Sequence, residues 1–357
     1  QYDLYLSGQT LNFFNVYGSQ SGAQGLFFGA LDRLSPFTPA DNLRIYRVIA
    51  CLSFAITISL LLLWFLIEFG WTTAIFALFC AISSPWLTVF GRNLFYFPTL
   101  FYIPIVAVTW YLHWRSTHIG QARLKFGLLV FTTIFLKCLF NGYDFILPSI
   151  LMLGAPYVYF AMRDRWDLRK FIQTGMALAA GVTAAVGVSL FVLSLQLWAV
   201  LGDLSKAVAY IASTFSRRTM GDPNLYPEYA ASLRASVWEV LKIYFQRKLA
   251  VGQTDLRFMD VIFIFLIFTG IYFLAEKLRK GLAVNSHKTH ALIAATWASI
   301  FSPLLWYIIF KGQSYVHTHT NFLSWYMPFF IYGFAQCGNI LENLYSTYLA
   351  QRSIPKG

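Results

Sequence analysis

Between Ile45 and Leu341 the chain runs through about nine apolar stretches: 45–69, 71–90, 96–114, 126–140, 145–162, 171–201, 258–274, 291–310 and 322–341. A helix that crosses a bilayer needs roughly 20 mostly apolar residues. In hydrocarbon each segment must satisfy its own backbone hydrogen bonds, so the stretches are expected as helices. The fold class is therefore all-α, a polytopic transmembrane helical protein. Composition agrees: charged residues are 12% of the 357 and mean hydropathy is +0.58, where a soluble domain carries about a quarter charged residues. Two stretches are weaker, because 126–140 is short and Ser83, Ser84 and Pro85 interrupt 71–90 before its end.

Loop charges assign the two faces. Arg115, Arg123 and Lys125 lie in one loop, Arg163, Arg165, Arg169 and Lys170 in a second, and Lys277, Arg279, Lys280 and Lys288 in a third. These loops alternate with short connections whose lone charges are Arg92, Asp144 and Lys311. Short cytoplasmic loops carry the excess of Lys and Arg. The basic loops and the tail 342–357 are thus expected inside, with 1–44, the connections around 92, 144 and 311, and 202–257 outside. One membrane domain results, its spans in 45–201 and 258–341.

The two long outer segments read as amphipathic helices at the membrane surface. One covers residues 11–31. The other has Leu204, Val208, Ile211 and Phe215 at helical spacing, a break at GDPNLYPEY, and a second helix through LRASVWEVLKIYFQRKL. The chain begins at Gln1 rather than Met, so an upstream segment is expected to be missing or cleaved.

Several functions are disfavoured. Cys51, Cys80, Cys138 and Cys337 show no CxxC spacing and read as small core residues. Walker A, GxGxxG, HExxH and GxSxG motifs are absent. The net charge of +12 is split between two membrane faces, which argues against nucleic acid. Outside, Arg217, Arg218, Arg234, Lys242, Arg247 and Lys248 suit lipid headgroups, or some of them the phosphate of a lipid-linked substrate.

Four outer places could carry chemistry. Asp3 is either a solvated acid or a general base acting on an acceptor hydroxyl or amine. Arg92, after SSPWLTVFG, is either an interfacial arginine beside an aromatic belt or a bidentate phosphate ligand. Asn141, Gly142, Tyr143 and Asp144 form a tight turn between short spans, where an acid must be paired, face water or cap the following helix. In KGQSYVHTHTNF, Lys311 either snorkels or joins Tyr315, His317 and His319 around a phosphate. The two histidines share a face only in an extended loop, and no third and fourth ligand for zinc is evident nearby.

Taken together, these places resemble the C-type glycosyltransferases (the GT-C fold), integral membrane enzymes that take sugar from a polyprenyl-phosphate carrier on the outer face. The resemblance rests on Asp3 in the first outer loop, the amphipathic stretch 11–31, the passage from Ser84 to Arg92, and the polar loop from Lys311 to His319. It covers most of the chain as an architecture and uses short motifs. That family's first loop often carries two neighbouring acids, where this chain has Gln1 and Asp3. The family also begins with a further span, which here would lie upstream of Gln1 and make about ten.

What the resemblance implies is an inverting displacement at the anomeric carbon, without metal or other cofactor. Asp3 would be the catalytic base; Arg92, Lys311, Tyr315, His317 and His319 would bind the donor phosphate; Asp144 and Tyr143 would be candidate substrate contacts. The implied partners are a polyprenyl-phosphate sugar and membrane lipids, with the acceptor open, and the implied location is a bacterial inner (plasma) membrane with the site outside. Two other classes suit the same residues. A transporter or flippase of lipid-linked sugars also wants a polar cavity, though transporters favour internal repeats and midplane charges, Lys137 being the nearest here. A non-catalytic membrane subunit of a larger assembly would suit the 19% aromatic content.

Overall fold

The computed structural model describes residues 2–8, 17–249, 255–278 and 286–352. Among them the chain is helical, with no strand and one isolated bridge, Lys248 to Arg257. Short helices α1 (Tyr2–Leu6) and α2 (Ala23–Leu34) precede α3 (Pro39–Phe69), a 31-residue helix. Thr38 caps α3 by accepting from the Asp41 amide, and Pro39 fills a first-turn position that needs no N–H donor. The next stretch breaks at Ser84 and Pro85, as its residues predict. Helices α4 (Trp71–Ser83) and α5 (Pro85–Gly91) bend by 67° there, with Ser84 capping α5.

Helices α6 (Thr99–Arg115) and α7 (Ile119–Asn141) form an antiparallel hairpin. At its closed end Tyr111 donates to the Ala122 carbonyl and stacks on Phe126; at its open end Phe97 and Phe140 meet and Asn141 donates to the Tyr96 carbonyl. The chain continues through α8 (Ile146–Leu151), α9 (Gly154–Arg163) and α10 (Leu168–Leu201), which Asp167 caps. At Gly202 and Asp203 it leaves α10 for the amphipathic α11 (Leu204–Arg218). Helices α12 (Ala230–Arg234) and α13 (Val237–Gln246) follow, then α14 (Phe258–Leu278), α15 (Ser286–Ser299), α16 (Phe301–Ile309), α17 (Lys311–Val316) and α18 (Phe329–Arg352).

Among the described residues six helical runs are long and apolar enough to cross a membrane, or seven if the bent α4–α5 pair is one span. This all-helical chain is thus a polytopic integral membrane protein. Three boundaries differ from expectation. The loop expected over 115–125 shrinks to a 3-10 turn, Ser116–His118, so that α7 already begins at Ile119. The stretch 322–341 starts as a 3-10 turn and becomes α-helix only at Phe329, and α18 is not among the membrane-length apolar runs because it carries Gln336, Asn339, Glu342 and Asn343. The helix expected through LRASVWEVLKIYFQRKL is two, because Ser236 and Glu239 form a reciprocal cap that starts α13 afresh. Of the amphipathic stretch 11–31, residues 9–16 lie outside the described ones, and Ala23 onward is helix.

The core is aromatic. Trp64, Phe65, Tyr159, Phe160 and Tyr332 form one buried group, and Tyr244, Tyr307, Phe258, Phe322 and Trp325 another, with Tyr244 and Tyr307 stacked at 3.8 Å. Helix ends sort as the loop charges predict. Glu68, buried at the end of α3, meets Arg163 at 3.2 Å, Lys288 at 3.0 Å, His113 at 3.4 Å and the Tyr159 hydroxyl at 2.8 Å. Arg163 also donates to Ser116, and Lys170 to the Thr117 carbonyl. The three basic loops therefore gather at one end of the bundle, and the Asp144 turn lies at the other.

Candidate functional site

The Asn141–Asp144 turn is held by several independent constraints. Gly142 has φ 59°, and a Cβ there would lie 1.8 Å from the Ser19 carbonyl oxygen, so only glycine fits. The Tyr143 amide donates to that same oxygen at 2.8 Å. Fully buried Lys137 donates to the Gly142 carbonyl at 2.7 Å and the Asp144 carbonyl at 2.6 Å. Phe145 follows at φ 51°, in the left-handed region that non-glycine residues rarely occupy. Strain of this kind persists only where surrounding structure over-determines it, and it concentrates at functional sites.

Asp144 caps no helix: the residue at the N-cap of α8 is Phe145, with no side-chain cap bond. Its buried carboxylate instead accepts from Arg218 at 2.9 Å and from the Gln20 amide at 3.2 Å. The far side of the Arg218 guanidinium donates to the Tyr17 hydroxyl at 2.9 Å and to Ser19 at 3.1 Å. Burial works against the Arg218 charge, but Asp144 and Tyr17 outweigh it and leave its pKa above the ordinary arginine value.

Arg218 also faces a cavity of about 140 Å³, lined with Arg217, Tyr17, Tyr229, Gln313 and His317 among others. The Arg217 guanidinium sits 5.4 Å from the Tyr229 ring centre. Gly312 allows α17 to approach the end of α11, since a Cβ there would lie 2.7 Å from the Arg217 carbonyl oxygen. Half-buried His317 has its pKa lowered, first by burial and then by the neighbouring His319. Its imidazole is neutral at pH 7.

Tyr17 belongs to a second wall as well. On its other side lies a groove of about 730 Å³, bounded by Gln20 and Gln196, by Leu26 of α2 and Phe95, and by Leu193, Leu197 and Val200 along the last turns of α10. A cationic cavity that shares a side chain with an apolar groove suits an amphiphile with an anionic head.

The residues singled out in the sequence separate in space. His317 lines the cavity, and Asp144 stands directly behind Arg218. Tyr143 turns inward, its hydroxyl 3.0 Å from Ser189. Lys311 donates to the carbonyls of Leu233 and Ala235, both at 2.8 Å, and so closes the end of α12. His319 and Tyr315 are exposed, with the His317 and His319 ring centres 5.6 Å apart. Arg92 is exposed beside Gly91, and Asp3 is exposed on α1, which is pinned by a Tyr5 to Asp32 hydrogen bond; neither lines the cavity or the groove.

No local pattern in the sequence marks Tyr17, Gln20 or Lys137 for these contacts. Paired arginines at the end of an amphipathic helix were the one available signal for Arg217 and Arg218. Compared with known proteins, no family model, no curated sequence and no solved structure matches this chain.

Proposed function

We propose that this chain is a membrane glycosyltransferase of the GT-C kind, with about nine crossings in a bacterial inner membrane, that transfers sugar from a polyprenyl-phosphate carrier at its outer face. The observation that carries this reading is the cationic cavity adjoining an apolar groove across Tyr17. The isoprenoid lies in the groove, and Arg217 and Arg218 hold the phosphate. An acceptor oxygen attacks the anomeric carbon with inversion, and the carbon–oxygen bond to phosphate breaks with its electron pair leaving on the phosphate. The acceptor proton passes to a carboxylate, the role that the family resemblance gives to Asp3. Fixed cations stabilise charge that develops on the departing phosphate, a task in which pre-placed groups contribute most.

The test is conversion of labelled polyprenyl-phosphate sugars by membranes containing the chain. Wild type is expected to turn over at least one donor, and Arg217→Ala to lose about tenfold or more. No turnover of any donor by wild type, or equal turnover by Arg217→Ala, overturns the proposal.

A further inference from the structure

We propose that Asp144 sets the charge of the cavity by neutralising Arg218, so that the site takes a lipid phosphodiester bearing one negative charge in preference to a lipid diphosphate. The inference rests on reading the cavity as a lipid-phosphate site. It names which phosphate class that site selects and the residue that selects it.

A charge census carries it. Among the described residues lining the cavity, Arg217 and Arg218 are the cations and none is a carboxylate. Asp144 pairs with Arg218, while Arg217 lies over the Tyr229 ring. His317 is neutral at pH 7, because burial and the neighbouring His319 hold its pKa down against the pull of Asp144. The described residues thus leave one uncompensated positive charge, on Arg217. A sugar phosphodiester carries one negative charge, and a diphosphate carries more.

The pair is also hard to explain as stability alone. Both side chains are mostly withdrawn from water, at 11% and 9% exposure. A buried ion pair commonly gives no net stabilisation over apolar residues of the same volume. Yet the fold commits a buried ammonium, a glycine that nothing can replace and a left-handed phenylalanine to place Asp144 behind Arg218. Gln20 holds the second carboxylate oxygen, so the charge cannot swing away from the guanidinium. Asp144 therefore acts through Arg218, as a positioning residue.

The test uses the full chain in detergent or nanodiscs, with farnesyl methyl phosphate as the singly charged probe and farnesyl diphosphate as its competitor. Wild type is expected to favour the phosphodiester by about tenfold or more. Asp144→Asn, which adds a net positive charge, is expected to move that ratio about tenfold or more toward the diphosphate. The double variant Asp144→Asn with Arg218→Gln removes both charges, and its ratio is expected to return to that of wild type. A purely structural role for Asp144 would not restore selectivity in this way.

An unchanged ratio in folded Asp144→Asn, or a wild type that prefers the diphosphate, overturns the charge-setting role while leaving the lipid-phosphate reading intact. Failure of wild type to bind either probe overturns both. If Asp144→Asn does not fold, Arg218→Gln decides: an uncompensated carboxylate must weaken both probes and the diphosphate more, and the opposite order refutes the inference.

Discussion

Asp144 and Arg218, 74 residues apart in sequence, meet at 2.9 Å and join the α7–α8 turn to the end of the amphipathic helix α11. Through Tyr17 and Ser19 the same guanidinium fastens the segment before α2. Three separate pieces of chain are thus closed around one charge pair.

Lys311→Ala tests a role that geometry reassigns. Its ammonium ties off two carbonyls at the end of α12, so its loss is expected to destabilise the protein by about 1–3 kcal/mol, the cost of leaving such groups unpaired. Probe affinity in the cavity should change little. Thermal unfolding in detergent checks the first part; unaltered unfolding with lost probe binding would return Lys311 to the phosphate.

Glycine replacements should divide sharply. Gly142→Ala meets a carbonyl oxygen and a left-handed backbone, and should cost about 3 kcal/mol or more. Gly270→Ala, inside α14 with nothing within 4 Å, should stabilise by about 0.5–1 kcal/mol through helix propensity. Unfolding midpoints of the two variants, measured side by side, test this contrast.

His317 makes the cavity pH-dependent. Its folded pKa lies below the ordinary imidazole value, so between the two the unfolded chain binds more protons. Its contribution to stability is therefore full above that ordinary value and falls as pH drops through the folded pKa. In the same window protonation adds positive charge to the cavity, so affinity for a phosphate probe should rise as stability falls. Substitution by Gln should abolish both trends; their persistence in His317→Gln would assign them elsewhere.

At the opposite end, Glu68→Gln takes the buried acid away from Lys288 and Arg163, of which Arg163 keeps Asp164 at 2.7 Å. Both cations keep some access to water, so the expected loss is about 3 kcal/mol, at the lower end for broken buried pairs. The probe ratio in the cavity should not move. A shift in that ratio would show that the two ends communicate.

The apolar runs made most helices legible, because lipid enforces helix wherever the backbone lacks water. The Pro85 break and the gathering of basic loops were legible for equally local reasons. Asp144 could be seen to need a partner, since an acid between apolar runs is costly alone. What no local pattern contains is which of several cations answers it. Arg92, Lys311 and Arg218 look alike in sequence, yet one is exposed, one binds carbonyls and one pairs with Asp144. Such choices depend on side-chain reach in three dimensions.

Tyr17 stands in the walls of both the cationic cavity and the apolar groove. A molecule that fills both at once straddles this side chain, its tail lying along α10, a helix long and apolar enough to cross a membrane. Occupancy would then follow the mole fraction of that lipid in the membrane. Diluting the surrounding lipid, at a fixed amount of ligand per volume of buffer, would empty the site.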